Sequence, residues 1–493
     1  MIDGRKLLSK PNLYATFCWL AGLAIVAFVA TGDAPYEIAR KAAIGVGIVM
    51  AASLALEVGQ NWRAVLRPDT VAFLALYGLT FLEFLLPQPE VNDMTNAGAM
   101  RHAVLLALLA FGAMALGRHL SPKLPTGLSG LVQRPTPPSA LLTIFWISFF
   151  FGTFYMLLAV NFNPMEMIDR MMGPRFTQPW GRGRYGDFRA LLNEVGAVIN
   201  LVPPLAGLIL SDRQRYRPLT WMTVALVYGY CLFMGLAGST RNVLGAYIIT
   251  FLIAYSLNLT RKRMPEFAVL CLIGVAGFFV SSKIMLETRT IGLKEYLRSF
   301  ETQGPKAPEL KFEEQAPETI YFDLNLVNVA ELSDVFPKTH AFLGFEVPYV
   351  AFTHPIPRAI WPGKPIGLSI SMESALGVGP EMTVSSTFIG ESYMAGGAFA
   401  VALTGLFFGI LTGWWGRMAI GLSSALGLLI YASGFLAVVI SMRSLFTLTV
   451  TILPTIAAIM MAMVFTKKSP PTKSPDRTDI PPRGIPHRTH ALR

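Results

Sequence analysis

The sequence predicts an all-α polytopic membrane protein with about 12 transmembrane helices and one long extracytoplasmic loop. Hydrophobic residues make up 53% of the 493 positions, charged residues make up only 14%, and the mean hydropathy is +0.50. An ordinary soluble domain has about 25% charged residues. The apolar residues are also grouped into runs long enough for a helix to cross a bilayer, which takes about 20 residues. Composition and run length therefore exclude a soluble globular protein.

We place each predicted span on an apolar run that few charges interrupt. The twelve spans are 13–31, 41–58, 70–87, 100–117, 139–161, 190–211, 218–237, 242–259, 266–282, 397–414, 418–440 and 445–465. The first run is longer than a signal-peptide core, so we expect an uncleaved first span. Helices one to nine then occupy 1–282, the extracytoplasmic loop occupies 283–396, and helices ten to twelve occupy 397–465.

The distribution of positive charge sets the predicted orientation. Both termini and the short loops on their side are rich in arginine and lysine, which marks that side as cytoplasmic. The net charge of +11 is explained by these loops and by anionic lipid, so no nucleic-acid partner is expected. Residues 466–493, rich in proline and basic residues, are predicted to be a disordered cytoplasmic tail.

Several cations fall on the opposite side, where the positive-inside rule disfavours them. A cation that topology does not explain is a candidate functional residue. These cations are Arg170, Arg175, Arg182, Arg184, Arg189, Arg241, Arg289, Arg298, Arg358, Lys364 and Arg443. Of these, Arg182, Arg184, Arg241, Arg289, Arg358, Lys364 and Arg443 are the candidate site residues. Arg182 and Arg184 lie in Gly181–Gly186, which fits G-x-G-x-x-G but follows no strand, so we expect contact with lipid phosphate or glycan instead of a dinucleotide.

The segment 353–365 contains four prolines, which exclude a helix because each fixes φ and removes a backbone donor. It presents His354, Arg358, Trp361 and Lys364 on a stiff loop. Cationic and aromatic side chains together suit a phosphate-bearing sugar ligand. The alternative is a surface turn whose charges are solvated.

Two further segments carry candidate residues. Small residues precede Arg241 where span eight begins, and Ser239 or Thr240 could cap that helix beside an anion. A tight turn with a snorkelling arginine is the alternative. Glu391 precedes Tyr393 and could act as a general base or pair structurally with an arginine. Before them, 318–336 reads as an amphipathic helix that lies on the membrane surface or caps the bundle.

No nucleotide-binding P-loop and no spacing typical of metal ligands occurs in the sequence. Cys18, Cys231 and Cys271 lie inside apolar runs, as buried small hydrophobes do. We therefore expect neither a metal nor a cofactor.

The combined motifs resemble those of O-antigen (oligosaccharide repeat-unit) polymerases, the Wzy-type membrane glycosyltransferases. The resemblance covers roughly 230–445, about half of the chain. Its matching pieces are Gly-Ser-Thr-Arg241, Ile356-Pro-Arg-Ala-Ile-Trp-Pro-Gly-Lys-Pro365, Gly390-Glu-Ser-Tyr-Met-Ala-Gly-Gly397 and Arg443. Members of this family usually have an aromatic residue and asparagine where this chain has Met394 and Ala395, a difference that bears on substrate.

The resemblance implies a GT-C-like bundle in the bacterial inner membrane with its active site facing the periplasm. It also implies transfer of a growing glycan from undecaprenyl pyrophosphate onto a lipid-linked repeat unit, for O-antigen, capsule or exopolysaccharide, with a chain-length regulator as partner. The expected roles divide among eleven residues. They are catalysis by Arg241, Arg358, His354 and Glu391, pyrophosphate binding by Arg241, Arg289, Arg358, Lys364 and Arg443, and glycan binding by Trp361, Arg182, Arg184 and Tyr393. A polysaccharide flippase or transporter and an O-antigen ligase are the alternative functions.

Overall fold

All regular secondary structure in the described part of the chain is helical. The computed structural model describes residues 10–134, 136–174, 177–180, 192, 194–259, 261–303, 324–356, 360–361, 363–365, 367–378, 384–419, 422 and 424–465. The predicted tail at 466–493 lies outside these ranges.

The first half of the chain forms nine of the helices that we number. They are α1 (Leu13–Val29), α2 (Pro35–Gln60), α3 (Pro68–Thr80), α4 (Ala97–Gly117), α5 (Thr126–Gln133), α6 (Pro138–Ala159), α7 (Pro164–Met171), α8 (Val202–Ser211) and α9 (Pro218–Ala237). Short 3₁₀ segments at Trp62–Leu66, Leu82–Leu85, Ala197–Leu201 and Arg213–Arg215 and one turn of helix at Val91–Met94 connect them.

The second half contributes nine more numbered helices. They are α10 (Arg241–Leu257), α11 (Met264–Ile291), α12 (Leu293–Gln303), α13 (Asn325–Val335), α14 (Glu346–Thr353), α15 (Thr387–Met418), α16 (Ala425–Arg443), α17 (Leu445–Thr451) and α18 (Leu453–Phe465). A 3₁₀ segment at Arg261–Arg263 precedes α11, and one turn of helix at Met372–Ala375 follows α14.

Nine helical stretches of the described residues are long and apolar enough to cross a membrane, which indicates a multi-pass helical membrane protein. They are α2, α4, α6, α9, α11, α15, α16, Glu194–Ser211 and Leu445–Phe465. The helices α1 and α10 are apolar but have 17 residues each. The predicted count of twelve is not confirmed. The run at 70–87 falls short because α3 has 13 residues, a rise of about 20 Å against a hydrocarbon core of about 30 Å.

The helix α16 lies at the centre of the bundle. It is buried along nearly its whole length, as expected for a helix that is apolar on all sides. Trp415 of α15 donates from its indole nitrogen to the carbonyl of Tyr431 at 3.0 Å, and the Tyr431 hydroxyl donates to the carbonyl of Leu66 at 2.9 Å. These bonds fix α16 against α15 and the start of α3.

Glycines bring α4 and α15 into close contact. Gly405, Gly409 and Gly413 repeat every four residues along α15, the small-residue spacing that lets membrane helices approach closely. A Cβ on Gly409 would lie 2.3 Å from the Met114 carbonyl oxygen, and one on Gly413 would lie 2.5 Å from that of Arg118. The two helix backbones therefore touch, and any larger residue at Gly409 would separate them.

The predicted amphipathic helix at 318–336 is observed as α13, and its first part lies outside the described residues. Of the two expected positions, the structure places it against the bundle. Val327 and Leu332 are buried, and the Asn325 side chain donates to the Leu79 carbonyl at 2.8 Å. Asn96, which caps α4, bonds Asp334 at 2.9 Å. The helix thus covers the end of the bundle where α3 ends and α4 begins.

A buried ionic network closes the opposite end, which we call the Arg67 end. Arg67 is 2% exposed and pairs with Glu57 at 2.8 Å and with Asp69; Arg118 pairs with the same two carboxylates at 3.2 and 3.1 Å. Burial raises the pKa of Asp69, but the two arginines outweigh it and lower that pKa to about 2. Two cations and two anions therefore neutralise each other among α2, α3 and α4.

We expect Arg67→Met to destabilise the protein strongly, because it leaves two buried carboxylates facing one arginine. Breaking such a pair costs about 3–5 kcal/mol. The control is Lys338→Ala, which removes an exposed pair with Asp334 worth at most about 1 kcal/mol. Thermal unfolding of both variants in detergent measures the difference. Equal midpoints would contradict a stabilising role for the network.

Candidate functional site

The ends of α16 and α10 meet at Arg443. With the Asn242 amide oxygen turned towards it, Asn242 accepts from Arg443 Nε at 2.9 Å and from a terminal guanidinium nitrogen at 3.1 Å. This amide orientation satisfies both groups, and hydrogen bonding is the basis on which such amides are assigned. Asn242 follows Arg241 directly, so two of the predicted arginines lie at one end of the bundle, which we call the Arg443 end.

Glu391 joins the same end of the bundle from α15. Glu391 is 5% exposed, its carboxylate accepts from the Leu445 backbone N–H at 2.5 Å, and the Ser444 hydroxyl and the Phe446 N–H lie close enough to favour its charged form. Arg443 is close enough to attract this carboxylate electrostatically. Of the two roles left open for Glu391, these contacts support structural pairing, because they occupy the carboxylate with backbone and hydroxyl donors.

A break in α15 positions Glu391. Gly396 and Gly397 have non-helical dihedrals, and Gly397 has φ +66° and ψ −153°, a conformation that glycine adopts far more readily than other residues. The carbonyls of Met394 and Ala395, which lose their helical partners there, accept from the N–H groups of residues 343 and 344 at 2.9 and 2.8 Å. Glu391 thus lies in a short segment before the break, and the predicted span at 397–414 lies after it.

The turn between α9 and α10 contacts the end of α11. The Ser239 hydroxyl lies 3.2 Å from that of Thr288, and Ser239 has φ +46°, an uncommon conformation for serine. Thr240 is the N-cap residue of α10, but its side chain accepts no hydrogen bond from the helix, and its hydroxyl donates to the Gly238 carbonyl. The expected capping of this helix by Ser239 or Thr240 is therefore wrong, because no N–H group of its first turn donates to the side chain of the N-cap residue.

Arg289, beside Thr288 in the last turn of α11, is half-buried. Within the described residues no hydrogen bond or ion pair of Arg289 is found, whereas Arg443 is bonded to Asn242. The guanidinium of Arg289 is thus available to an anion.

The proline-rich loop adjoins this end through α14. The Thr449 hydroxyl of α17 donates to the Ala351 carbonyl at 2.8 Å, so α14 packs on the helix that follows Arg443. Lys364 donates to the carbonyls of His354 and Ile356 at 2.7 and 3.0 Å, which closes the loop onto the end of α14. His354 therefore starts a loop held near Arg443, while the Lys364 ammonium is occupied by backbone oxygens.

The two aromatic candidates differ in accessibility. Trp361 is half-buried, with its ring edge-on to that of Tyr349 at 6.5 Å. Tyr393 is 5% exposed and donates to the Phe336 carbonyl at 3.3 Å, so little of its surface is left for a glycan. The predicted residues Arg182, Arg184 and Arg358 lie outside the described residues.

The arrangement at the Arg443 end suits binding of a multiply charged anion. Arg241, Arg289 and Arg443 are all half-buried there. Guanidinium groups bind phosphate oxygens through paired, charge-assisted hydrogen bonds, which are strengthened where water is partly excluded. In the ranges described above, no group of three or more His, Cys, Asp or Glu residues could hold a metal ion.

Sequence reasoning missed three residues that form contacts described above, two at the Arg443 end and one at the Arg67 end. Asn242 and Thr288 adjoin predicted arginines, but nothing in their spacing indicates which distant segment they contact. Glu57 carried a signal that could have been used, since it lies inside the predicted span 41–58, and an ionisable residue within a span marks a site or a paired charge.

A family model described as a domain of unknown function (DUF8712) matches residues 329–469. The match runs from α13 through α18, and it includes Glu391 and Arg443 but not Arg241 or Arg289. It covers less than a third of the chain. No curated protein and no solved structure matches the sequence.

We expect Gly397→Ala to destabilise the protein by about 1–3 kcal/mol, the cost of holding a residue with a side chain in this backbone conformation. The added Cβ would also lie 3.1 Å from the Phe342 ring. Gly396→Ala is the matched control, because its Cβ makes only an ordinary contact with Ala400 at 3.4 Å. Thermal unfolding distinguishes the two variants. A stable Gly397→Ala protein would mean that the break does not require glycine there.

Proposed function

We propose that this protein is a membrane glycosyltransferase that polymerises lipid-linked oligosaccharide repeat units. A growing glycan would be transferred from a polyprenyl pyrophosphate carrier onto the next repeat unit, on the periplasmic side of the bacterial inner membrane. The observation that carries the proposal is the meeting of Arg241, Arg443 and Glu391 through the Asn242–Arg443 and Glu391–Leu445 hydrogen bonds. Three of the residues that gave the sequence resemblance thus belong to one end of the bundle.

The reaction requires stabilisation of a leaving group more than a powerful nucleophile. As the glycosidic bond breaks, the sugar carbon gains oxocarbenium character and the departing pyrophosphate gains negative charge. Preorganised cations stabilise such charge without reorganisation during the reaction. Arg241 and Arg289 would contact the pyrophosphate oxygens, together with the predicted Arg358. Arg443 would contribute charge from the position in which Asn242 holds it.

The acceptor hydroxyl must lose its proton during transfer. His354 is the remaining candidate base, since the contacts of Glu391 assign that carboxylate to positioning residues 443–446. His354 begins the loop that α14 holds against α17, and Trp361 on the same loop offers a ring face to a sugar. In this division of roles, the arginines bind the pyrophosphate of the donor and the loop binds the acceptor sugar.

We expect Arg241→Ala to lower the rate of polymer formation by about 10²–10³-fold, the usual loss when one preorganised donor is removed. The control is Arg170→Ala, which removes a 57% exposed arginine paired with Glu166 and should leave the rate unchanged. The assay follows polymer length on gels, using purified protein in liposomes with a pyrophosphate-linked repeat unit as substrate. Normal chain length from Arg241→Ala protein would remove this residue from the mechanism.

The same proposal predicts the products in cells that lack the gene. Loss of a polymerase leaves single repeats that are exported and capped. Loss of a flippase leaves lipid-linked repeats on the cytoplasmic face, and loss of a ligase leaves finished polymer on its carrier lipid. If the cells accumulate either of the latter two products, the protein is a flippase or a ligase, respectively, and not a polymerase.

A further inference from the structure

An apolar cavity of about 320 Å³ lies between α9, α10 and α11. This volume is within the range of small-molecule binding sites. Of the residues that line it, only Tyr228 and Ser281 have side-chain oxygens. The cavity follows the half of α9 and α10 that is nearer the Arg443 end, from Tyr228 to Leu236 and from Leu244 to Leu252. It is thus an apolar space placed directly beside the turn that contains Ser239.

The wall formed by α11 leaves the cavity open to the side. Only Ser282, Met285 and Thr288 of α11 are buried, all near its end, and Ile273 is 62% exposed. Gly277 lines the cavity and has no atom within 4 Å of the position of its Cβ. The outer face of the helix is therefore exposed along most of its length, and a bilayer would contact the cavity directly.

The end of this groove is polar and cationic. Its last lining residues, Leu236, Leu244 and Ser281, come within two turns of Ser239, Arg241 and Thr288, respectively. Arg289 follows in the last turn of α11. An apolar groove that ends at guanidinium and hydroxyl groups is complementary to a lipid with an anionic headgroup. A soluble phosphate would have no hydrocarbon chain to contact the apolar part of the groove.

We propose that this groove binds the hydrocarbon tail of the polyprenyl carrier, admitted from the bilayer past α11, with its phosphate held by Arg241 and Arg289. The inference rests on the proposed function for the identity of the carrier. The lining of α11 from Leu270 to Ser281 rises about 16 Å, against about 30 Å for the hydrocarbon core. The groove therefore holds the part of the tail nearest the phosphate, and the remainder lies in the bilayer.

Filling the groove should weaken carrier binding. We expect Gly277→Phe to raise the Kd for undecaprenyl phosphate about tenfold or more, since displacing two buried methylene groups already has that effect. Gly229→Phe is the matched control, because Gly229 is exposed on α9, has no atom near its Cβ position and does not line the groove. Titration of undecaprenyl phosphate into the purified full chain in detergent measures both variants.

Two further ligands separate the contribution of the tail to binding from that of the headgroup. Geranyl phosphate has a short tail, so it should bind weakly to the original protein. The Kd values of the two variants should also differ less for geranyl phosphate than for undecaprenyl phosphate. Phosphatidylglycerol should not compete at the same concentration. Competition by phosphatidylglycerol, or an equal Kd for the Gly277→Phe and Gly229→Phe proteins, would overturn the proposal in favour of unspecific annular lipid. If Gly277→Phe lowers the unfolding temperature, Ser281→Phe at the mouth of the groove replaces it.

These outcomes are independent of the polymerase assay. Tight, tail-dependent binding without polymer formation would retain the groove and refute the proposed reaction. Polymer formation with binding insensitive to Gly277→Phe would retain the reaction and refute the groove.

Discussion

Arg443 can lie at the end of a buried apolar helix only because other segments supply its partners. A guanidinium taken from water is costly unless it is hydrogen-bonded and faces opposite charge. Asn242 provides the hydrogen bonds, and Glu391, which interacts electrostatically with Arg443, accepts from the backbone after it. One requirement for satisfying a cation thus joins three segments that are far apart in sequence.

The two ends of the bundle use arginine differently. At the Arg67 end, two arginines and two carboxylates are matched, almost fully buried and mutually bonded, so the network is electrically closed. At the Arg443 end, three arginines are only half-buried, so their charge remains accessible to an approaching anion. The first arrangement holds helices together, and the second attracts an anion. Both ends use arginine, so the difference between them comes from burial and charge balance and not from residue type.

The sequence allowed prediction of the helical class, of most apolar helices and of the grouping of Arg241 with Arg443, since run length and the positive-inside rule carry that information. It did not predict that the helix in the run 70–87 ends at Thr80. The apolar residues continue beyond Thr80, and the end of the helix there is determined by tertiary packing. The Glu391–Leu445 contact also escaped prediction, since it depends on a backbone N–H that any residue could offer. The Gly405–Gly409–Gly413 spacing, however, was visible and indicates the α4–α15 contact.

The break at Gly396–Gly397 has a consequence for how the loop before it can change. The carbonyls of Met394 and Ala395 accept from the N–H groups of residues 343 and 344, and the segment between these residues also packs on the bundle through α14. The loop is therefore pinned at its base, where its two ends are joined. Lengthening a loop whose ends are already fixed costs only about 0.6 kcal/mol per doubling. Insertions and deletions within 367–378, whose residues are exposed or half-buried, can accordingly diversify the surface while Glu391 and Arg443 keep their places.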